Sequence, residues 1–356
     1  MVNKVNTSQF PFMQRALSLA YEAVGVSAPN PAVGAVVVLD GNVVGEGFTQ
    51  APGSFHAEVA ALRNAGELAR GADLWVTLEP CCFYGRTPPC TTAIMNAGIK
   101  RVFYSHGDPN PRVYGKSKQI LESAGIEVFE GICEQESARF YEAYDYFSAT
   151  GHTFVEVKIA QTKDGFIAGK NGKPIKITSA ETDCLIHRER ASSDAILVGG
   201  GTLLNDNPSL TVRLFQGNSP PRIIFSGKRI IPDNLNIFQS GAPPVVYSLV
   251  PQPALENKAE VRLLQHPGFR ENWLQMLRDL SRAGKHRLMV EPGAELARLI
   301  FTSGLWNRLN LWTSPQEIHE GTAWNQGFFA LETPAFSAGA GDRLLEFQNH
   351  FEVPAF

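Results

Sequence analysis

The stretch running from Phe55-His56-Ala57-Glu58-Val59 to Thr77-Leu78-Glu79-Pro80-Cys81-Cys82-Phe83-Tyr84-Gly85-Arg86-Thr87-Pro88-Pro89-Cys90-Thr91 decides how the chain is read. His56, Cys81 and Cys90 offer one imidazole and two thiolates, a donor set that suits zinc and leaves a fourth tetrahedral position open to water. Glu58 follows His56 by two residues, near enough to hydrogen-bond that water without being a ligand. Zinc brings the pKa of bound water from ~16 to about 7, and a carboxylate beside it can take the proton and hand it to a departing amine. The pattern therefore predicts hydrolytic deamination. Zinc deaminases acting on nucleobases carry His-x-Glu followed by Pro-Cys-x-x-Cys; here eight residues rather than two separate Cys81 from Cys90. A structural zinc site would want four protein ligands. Cys82 is a conceivable fourth, but neighbouring residues rarely reach one ion together, and such a site has no use for Glu58.

Outward from this stretch, the apolar spacing after His56 and after Cys90 predicts two helices whose N-termini carry ligands, where the helix dipole favours thiolate. Upstream, 12–26 reads as an amphipathic helix with Leu17, Ala20 and Val24 on one face, ended by Pro29 and Pro31. Val36–Leu39 and Asn42–Gly47 form a hairpin across the tight turn Asp40-Gly41. Downstream, strands at Leu74–Leu78, Arg101–Ser105 and Glu127–Phe129 alternate with helices at Lys116–Ala124 and Glu134–Phe147, which predicts an α/β layered domain with a mainly parallel sheet. The boundary is expected at Ala149-Thr-Gly151, giving domains over 1–150 and 151–356. Beyond it the alternation restarts. Strands are read at Phe154–Ala160, Ala195–Val198, Arg222–Phe225, Val245–Ser248, Arg287–Glu291, Leu309–Thr313 and Leu344–Val353. Helices are read at Ala180–Ala191, Asn272–Ala283 and from Ala294, with loops at 214–221, 249–258 and 314–342.

The length of 356 residues favours two domains over one core. A formal charge of −3 supplies no basic field for a nucleic-acid polymer, so the expected partner is a small molecule. The first ten residues lack the apolar core of a secretory signal and no stretch reaches the length of a membrane span. The chain is expected in the cytoplasm with its five cysteines reduced, Cys133 and Cys184 serving as small packing residues. Gly199-Gly-Gly-Thr202 follows an apolar strand and can be read as a phosphate cradle or as a plain tight turn. No Gly-x-Gly-x-x-Gly follows a strand, so a Rossmann site has no support.

The run Asn30-Pro-Ala-Val-Gly34, His56-Ala-Glu58, Thr77-Leu-Glu-Pro-Cys81, Tyr84-Gly-Arg-Thr-Pro-Pro-Cys90 and Asp108-Pro-Asn-Pro111 closely resembles the bifunctional riboflavin-biosynthesis deaminase–reductase family. In the second half Lys158-Ile-Ala-Gln-Thr-Lys-Asp-Gly165, Ile177-Thr-Ser179, Arg190-Ala-Ser-Ser-Asp194, Gly199-Gly-Gly-Thr-Leu-Leu-Asn-Asp-Asn-Pro208 and Leu210-Thr-Val-Arg213 are similar to its reductase part. The resemblance implies a cytidine-deaminase-like three-layer domain followed by a dihydrofolate-reductase-like α/β domain. It implies Zn2+ held by His56, Cys81 and Cys90 with Glu58 catalytic, and NADPH along Ala160, Thr202, Asp206 and Gly293. Asn30 and Arg86 in the first domain, and Lys158, Arg190, Leu210, Arg213 and Glu291 in the second, would hold substrate, the arginines through planar forks on the sugar phosphate. The implied reactions remove the 2-amino group of 2,5-diamino-6-(ribosylamino)-4(3H)-pyrimidinone 5'-phosphate and then reduce the ribose side chain to ribityl, in an expected homo-oligomer.

The chain departs from the family pattern at Cys82-Phe83, where Ser-His is usual, at Lys176, where Trp is usual, and at Glu291-Pro-Gly-Ala-Glu-Leu296. Glu295 is expected to point a negative charge toward bound phosphates. Three rivals are distinguishable: a deaminase with a structural second domain, which would not oxidise NADPH; a nucleic-acid editing deaminase, which would need a basic surface; and a zinc-stabilised scaffold, which would release no ammonia.

Overall fold

The computed structural model describes residues 10–324, 336–337 and 341–349. The chain divides into two compact units, Met1–Gly151 with Gln216–Asn218, and His152–Phe215 with Ser219–Phe356. Among the described residues no helix is long and apolar enough to cross a membrane.

The first unit runs α1 (Pro11–Ala23), β1 (Gly34–Leu39), β2 (Asn42–Phe48), α2 (Ala57–Ala65), β3 (Asp73–Leu78), α3 (Cys90–Ala97), β4 (Arg101–His106), α4 (Lys116–Ser123), β5 (Glu127–Phe129) and α5 (Glu134–Thr150). Its five strands lie in the order β2-β1-β3-β4-β5. The run Gly-Ala-Val-Val-Val is buried on both faces because successive side chains enter different cores. Ala35, Val37, Leu74 and Val76 pack with Ala57, Ala61 and Ile94. Val36, Val38 and Trp75 pack with Met13, Ala16 and Leu19 of α1. Helices therefore cover both sides, giving three layers. Asp40 and Gly41 both take positive φ, as the tight hairpin demands.

Two expectations change here. The sheet is parallel only from β3 through β5, since β1 pairs antiparallel with both β2 and β3. The β1–β2 hairpin is as expected; the antiparallel pairing of β1 with β3 is not, because β3 follows the crossover helix α2 parallel to β2 and the order of elements does not say which hairpin strand it will join. Helix α1 stops at Ala23, well before the prolines, because Val24 is extended and Gly25 takes φ 78.

The second unit runs β6 (Phe154–Gln161), β7 (Phe166–Ala168), α6 (Ala180–Ala191), β8 (Ala195–Gly199), α7 (Gly200–Asp206), β9 (Arg222–Gly227), β10 (Val245–Ser248), β11 (Glu260–Leu263), α8 (Phe269–Arg282), β12 (Arg287–Glu291), α9 (Ala294–Ser303), β13 (Arg308–Thr313), β14 (Thr322–Ala323), β15 (Phe336–Ser337) and β16 (Arg343–Gln348). Among the described residues nine strands lie in the order β11-β10-β9-β8-β12-β6-β13-β16-β15, parallel as far as β13 and antiparallel beyond it. One face packs Val155, Val157, Leu197 and Ile223 against Trp273 and Leu277 of α8. The other packs Ile196, Val198, Ile224 and Met289 against Ile186 of α6 and Leu203 of α7. Strand β11 lies in an interval with no strand expected, and β14 and β15 fall inside the expected loop 314–342. Both are short segments ordered by pairing, β14 against β7 and β15 against β16. The last expected strand, to Val353, extends beyond the described residues; β16 covers Arg343–Gln348.

Candidate active sites

In the first unit β3 ends at Leu78 and delivers Glu79-Pro-Cys81 to a point between two helix starts. His56 is the N-cap of α2 and Cys90 the first residue of α3. His56 Nδ1 lies 3.6 Å from Cys81 Sγ and 3.3 Å from Cys90 Sγ. All three donor atoms fall within 4.8 Å of one another. The Cys81 loop is tied to α3 by Thr91 N–H to Cys81 C=O at 3.2 Å and by Cys90 N–H to Cys81 Sγ at 3.3 Å. Hydrogen bonding to Cys90, then to His56, pushes Cys81 down to about 5 against the effect of burial, while Cys90 is pushed up by its bond to Cys81 and by burial. The surroundings thus favour the thiolate at Cys81, and a cation at this point would deprotonate Cys90 as well. One imidazole and two convergent thiols are a donor set that fits zinc.

Glu58 lies in the first turn of α2, buried to 4% exposure, and its carboxyl interacts with the Cys90 thiol. Burial, then the Cys81 charge, raises its pKa to about 7, the range in which a carboxyl can both accept and return a proton near neutrality. Helix α2 is held where it is by unusually close contact with β2. A Cβ on Gly45 would sit 2.3 Å from Ala61 C=O, and one on Gly47 2.5 Å from Ala61 N. Glycine is required at both positions.

Around this centre, Asn30 is half-buried and its N–H donates to Ser27 C=O at 2.9 Å. Tyr141 fixes the neighbouring backbone by donating to Ala32 C=O at 2.9 Å while its hydroxyl lies 2.6 Å from Thr77 Oγ1. Arg86 is exposed in the loop between the two cysteines. Cys82 stands outside the donor cluster and donates to Arg112 C=O at 3.4 Å. The Arg112 guanidinium lies 3.8 Å from the Phe83 ring centroid, so a cation covers the aromatic that replaces the usual histidine. Glu79, absent from the expected site, is buried and accepts from Gly115 N–H at 3.1 Å and Ser117 Oγ–H at 2.6 Å, capping α4. A buried carboxylate beside a ligand was a readable signal, but nothing in the sequence identified its partner.

In the second unit a cavity of about 750 Å3 is lined by Lys158, Ala160, Thr202, Asp206, Glu291 and Gly293 among others. A Cβ on Gly293 would fall 2.5 Å from Thr202 Oγ1, so the N-cap of α9 comes up against the Thr202 side chain in the first turn of α7. Two helix N-termini with a hydroxyl between them in a cavity suit a dinucleotide's phosphates.

Arg190 and Glu291 come together as a pair. Arg190 Nε donates to Glu291 Oε1 at 2.7 Å and Nη2 to Oε2 at 3.0 Å, while Nη1 donates to Thr211 C=O at 3.2 Å. The fork of Arg190, expected on a sugar phosphate, is engaged within the protein. Burial works to raise the Glu291 pKa, but the charges of Arg190 and Lys158 hold it at about 2. Burial lowers the pKa of Lys158. Leu210 and Arg213 do not line the cavity. Leu210 is buried with φ 55, uncommon for a side chain of its bulk. Arg213 is exposed; its Nη1 donates to Thr211 Oγ1 at 2.7 Å and its N–H to His187 Nδ1 at 2.9 Å. His187, not foreseen, is kept toward its neutral form by burial and by the Arg190 and Arg213 charges, which leaves Nδ1 free to accept.

Glu295 does not stand as a bare charge toward the cavity, because Arg229 Nη2 donates to its Oε2 at 2.7 Å. Lys176 likewise pairs with Asp183.

Residues 7–106 match the family model for the cytidine and deoxycytidylate deaminase zinc-binding region, and residues 153–318 match that for the RibD C-terminal domain. The riboflavin biosynthesis protein RibD of Aquifex aeolicus is 39% identical over 314 residues, covering 87% of this chain and 88% of its own length. That of Escherichia coli is 35% identical over 320 residues, covering 86% and 87%. Among solved structures, a diaminohydroxyphosphoribosylaminopyrimidine deaminase/5-amino-6-(5-phosphoribosylamino)uracil reductase from Thermotoga maritima superposes with TM-score 0.76 at 32% identity, covering 95% of this chain and 98% of its own.

Proposed function

The chain belongs to the RibD family of riboflavin-biosynthesis proteins, and we propose that residues 1–150 act as its zinc-dependent pyrimidine deaminase and residues 151–356 as its NADPH-dependent reductase. It is an enzyme of riboflavin biosynthesis with deaminase and reductase activities, acting on a small molecule. The observation that carries the finer reading is the convergence of His56, Cys81 and Cys90 with Glu58 buried beside them.

His56, Cys81 and Cys90 would hold zinc, which would supply a water acidified to a near-neutral pKa. Glu58, buried beside them, is placed to accept a proton from the water that attacks the ring carbon bearing the 2-amino group of the phosphoribosylated diaminopyrimidinone. The same carboxyl returns the proton to the amine as the C–N bond breaks and ammonia leaves. Asn30 orients the ring and Arg86, exposed between the cysteines, meets the phosphate.

In the second unit Ala160, Thr202, Asp206 and Gly293 would hold NADPH, which would supply a hydride for the opened ribose. Lys158 and Glu291 face the ribose, Arg190 orients Glu291 through its two-point bond, and Leu210 and Arg213 hold the far end of the substrate. A cytoplasmic location, a homo-oligomeric state and the absence of a nucleic-acid partner belong to the same proposal.

The test is turnover of the pathway intermediate with and without NADPH, on zinc-replete and chelator-stripped enzyme. Ammonia release that needs zinc but not NADPH, followed by NADPH oxidation, is expected. Ammonia release with no NADPH oxidation would leave a deaminase whose second domain is structural.

A further inference from the structure

The cavity of the second unit carries a charge arrangement that the roles assigned above do not use. Beyond the end of β9, Lys228 and Arg229 line one wall, and Glu295 from the first turn of α9 lines another. Arg229 lays its side chain along Gly200 and Gly201. A Cβ on Gly200 would lie 3.3 Å from Arg229 Cδ, and one on Gly201 3.8 Å from Nη2. The guanidinium is thus brought to the cavity wall by packing, and its pairing with Glu295 is a separate matter. That pair is exposed, with side chains 44% and 64% accessible. Ion pairs so exposed contribute little, so a stronger anion can take the arginine from the carboxylate.

We propose that Arg229 is the residue by which this chain selects NADPH over NADH. On cofactor binding its guanidinium exchanges Glu295 for the phosphomonoester on the adenosine ribose, and Glu295 moderates the selection by competing for it. The inference rests on the reading of this unit as a nucleotide-dependent reductase. The pyrophosphate, a diester with one charge on each phosphorus, is common to both nucleotides and is served by the helix N-termini at Gly293 and Thr202. A phosphomonoester carries nearly two charges and three terminal oxygens, which a planar arginine fork matches two at a time. Lys228 adds a second cation, so Lys228, Arg229 and Glu295 together leave a single positive charge facing the only phosphate that distinguishes the two nucleotides. Replacing the usual residue at 295 with glutamate therefore weakens a preference without abolishing it.

The experiment measures NADPH and NADH binding to the full-length protein by calorimetry, in wild type, Arg229→Gln, Arg229→Lys and Glu295→Gln. Arg229→Gln should weaken NADPH by about tenfold or more and leave NADH within about twofold, with Arg229→Lys between. Glu295→Gln should tighten NADPH by about threefold or more with NADH unmoved. Equal weakening of both nucleotides by Arg229→Gln, or NADPH binding indifferent to all three variants, would overturn the proposal while leaving the reductase standing. Wild-type protein that binds neither nucleotide would overturn both.

Discussion

Glu58 and Cys82 sit on either side of the same donor cluster, and their surroundings assign them opposite importance. Glu58 is buried against Cys90 with its pKa near 7. Glu58→Gln keeps a hydrogen-bonding group of the same shape but cannot accept a proton, so zinc content should be unchanged while ammonia release falls ~10²–10⁴-fold. Reduction of the deaminated intermediate should persist; loss of zinc from this variant would make Glu58 a structural residue. Cys82 spends its thiol on the Arg112 carbonyl, a bond that serine can make equally well. Cys82→Ser should therefore retain metal and deamination, whereas Cys81→Ser or Cys90→Ser should lose both, as metal analysis of the purified variants would reveal. At this scale the convergence of His56, Cys81 and Cys90 with Glu58 beside them was legible because few arrangements of His, Cys and Glu have another chemical use. Glu79, His187 and Arg229 were not, because a lone charged or polar residue does not announce its partner.

Helix α2 carries both His56 and Glu58, so the element that positions them matters as much as they do. It packs on β2 through Gly45 and Gly47, where any Cβ would press into Ala61. Gly45→Ala should cost about 1–3 kcal/mol by overpacking. Because the displacement is passed to the N-terminus of α2, the variant should also bind zinc more weakly in competition with a chelator. Gly41, whose added Cβ would meet nothing within 4 Å, is the control. Gly41→Asn suits the positive φ of the turn and should leave zinc affinity unchanged. If Gly45→Ala lost stability in urea but bound zinc normally, the helix would not transmit the strain. The elements themselves were largely readable from periodicity. Their directions were not, as the antiparallel β1–β3 pairing illustrates, because alternating apolar residues fit either orientation.

The donor set lies in the first unit and the Arg190–Glu291 pair in the second, so metal and acid have different targets. Chelation should abolish ammonia release and leave NADPH binding intact, with the nucleotide's fluorescence as the readout. Acid should act on the second unit through Glu291. Its carboxyl, held at about 2 against an ordinary value of 4.5, binds its proton more weakly in the folded than in the unfolded chain. The stabilisation is therefore complete above about pH 5 and lost as pH falls from there toward 2, with an upper bound of about 3 kcal/mol. Trp273, Trp306, Trp312 and Trp324 lie in this unit and Trp75 in the first, so tryptophan fluorescence of a Trp75→Phe background follows the second unit's unfolding. Glu291→Gln should lower stability at neutral pH, where it strands Arg190, and should remove the acid-dependent part. An unchanged acid limb in that variant would assign the dependence to other carboxylates.

What the sequence by itself determined is the donor set of the first unit and the layered α/β plan of both. His56, Cys81 and Cys90 stand at the starts of helices or just past a strand, positions that local pattern specifies, and their residue types have few alternative uses. Tertiary structure alone decided which charges meet. Arg229 closes on Glu295 because parallel strands β9, β8 and β12 bring the segments after β9 and β12 to one end of the sheet, and Arg190 closes on Glu291 because α6 packs across those strands. A charged side chain in sequence can face solvent, substrate or another chain segment with similar cost. Only the folded path, by setting distance and burial, selects among them.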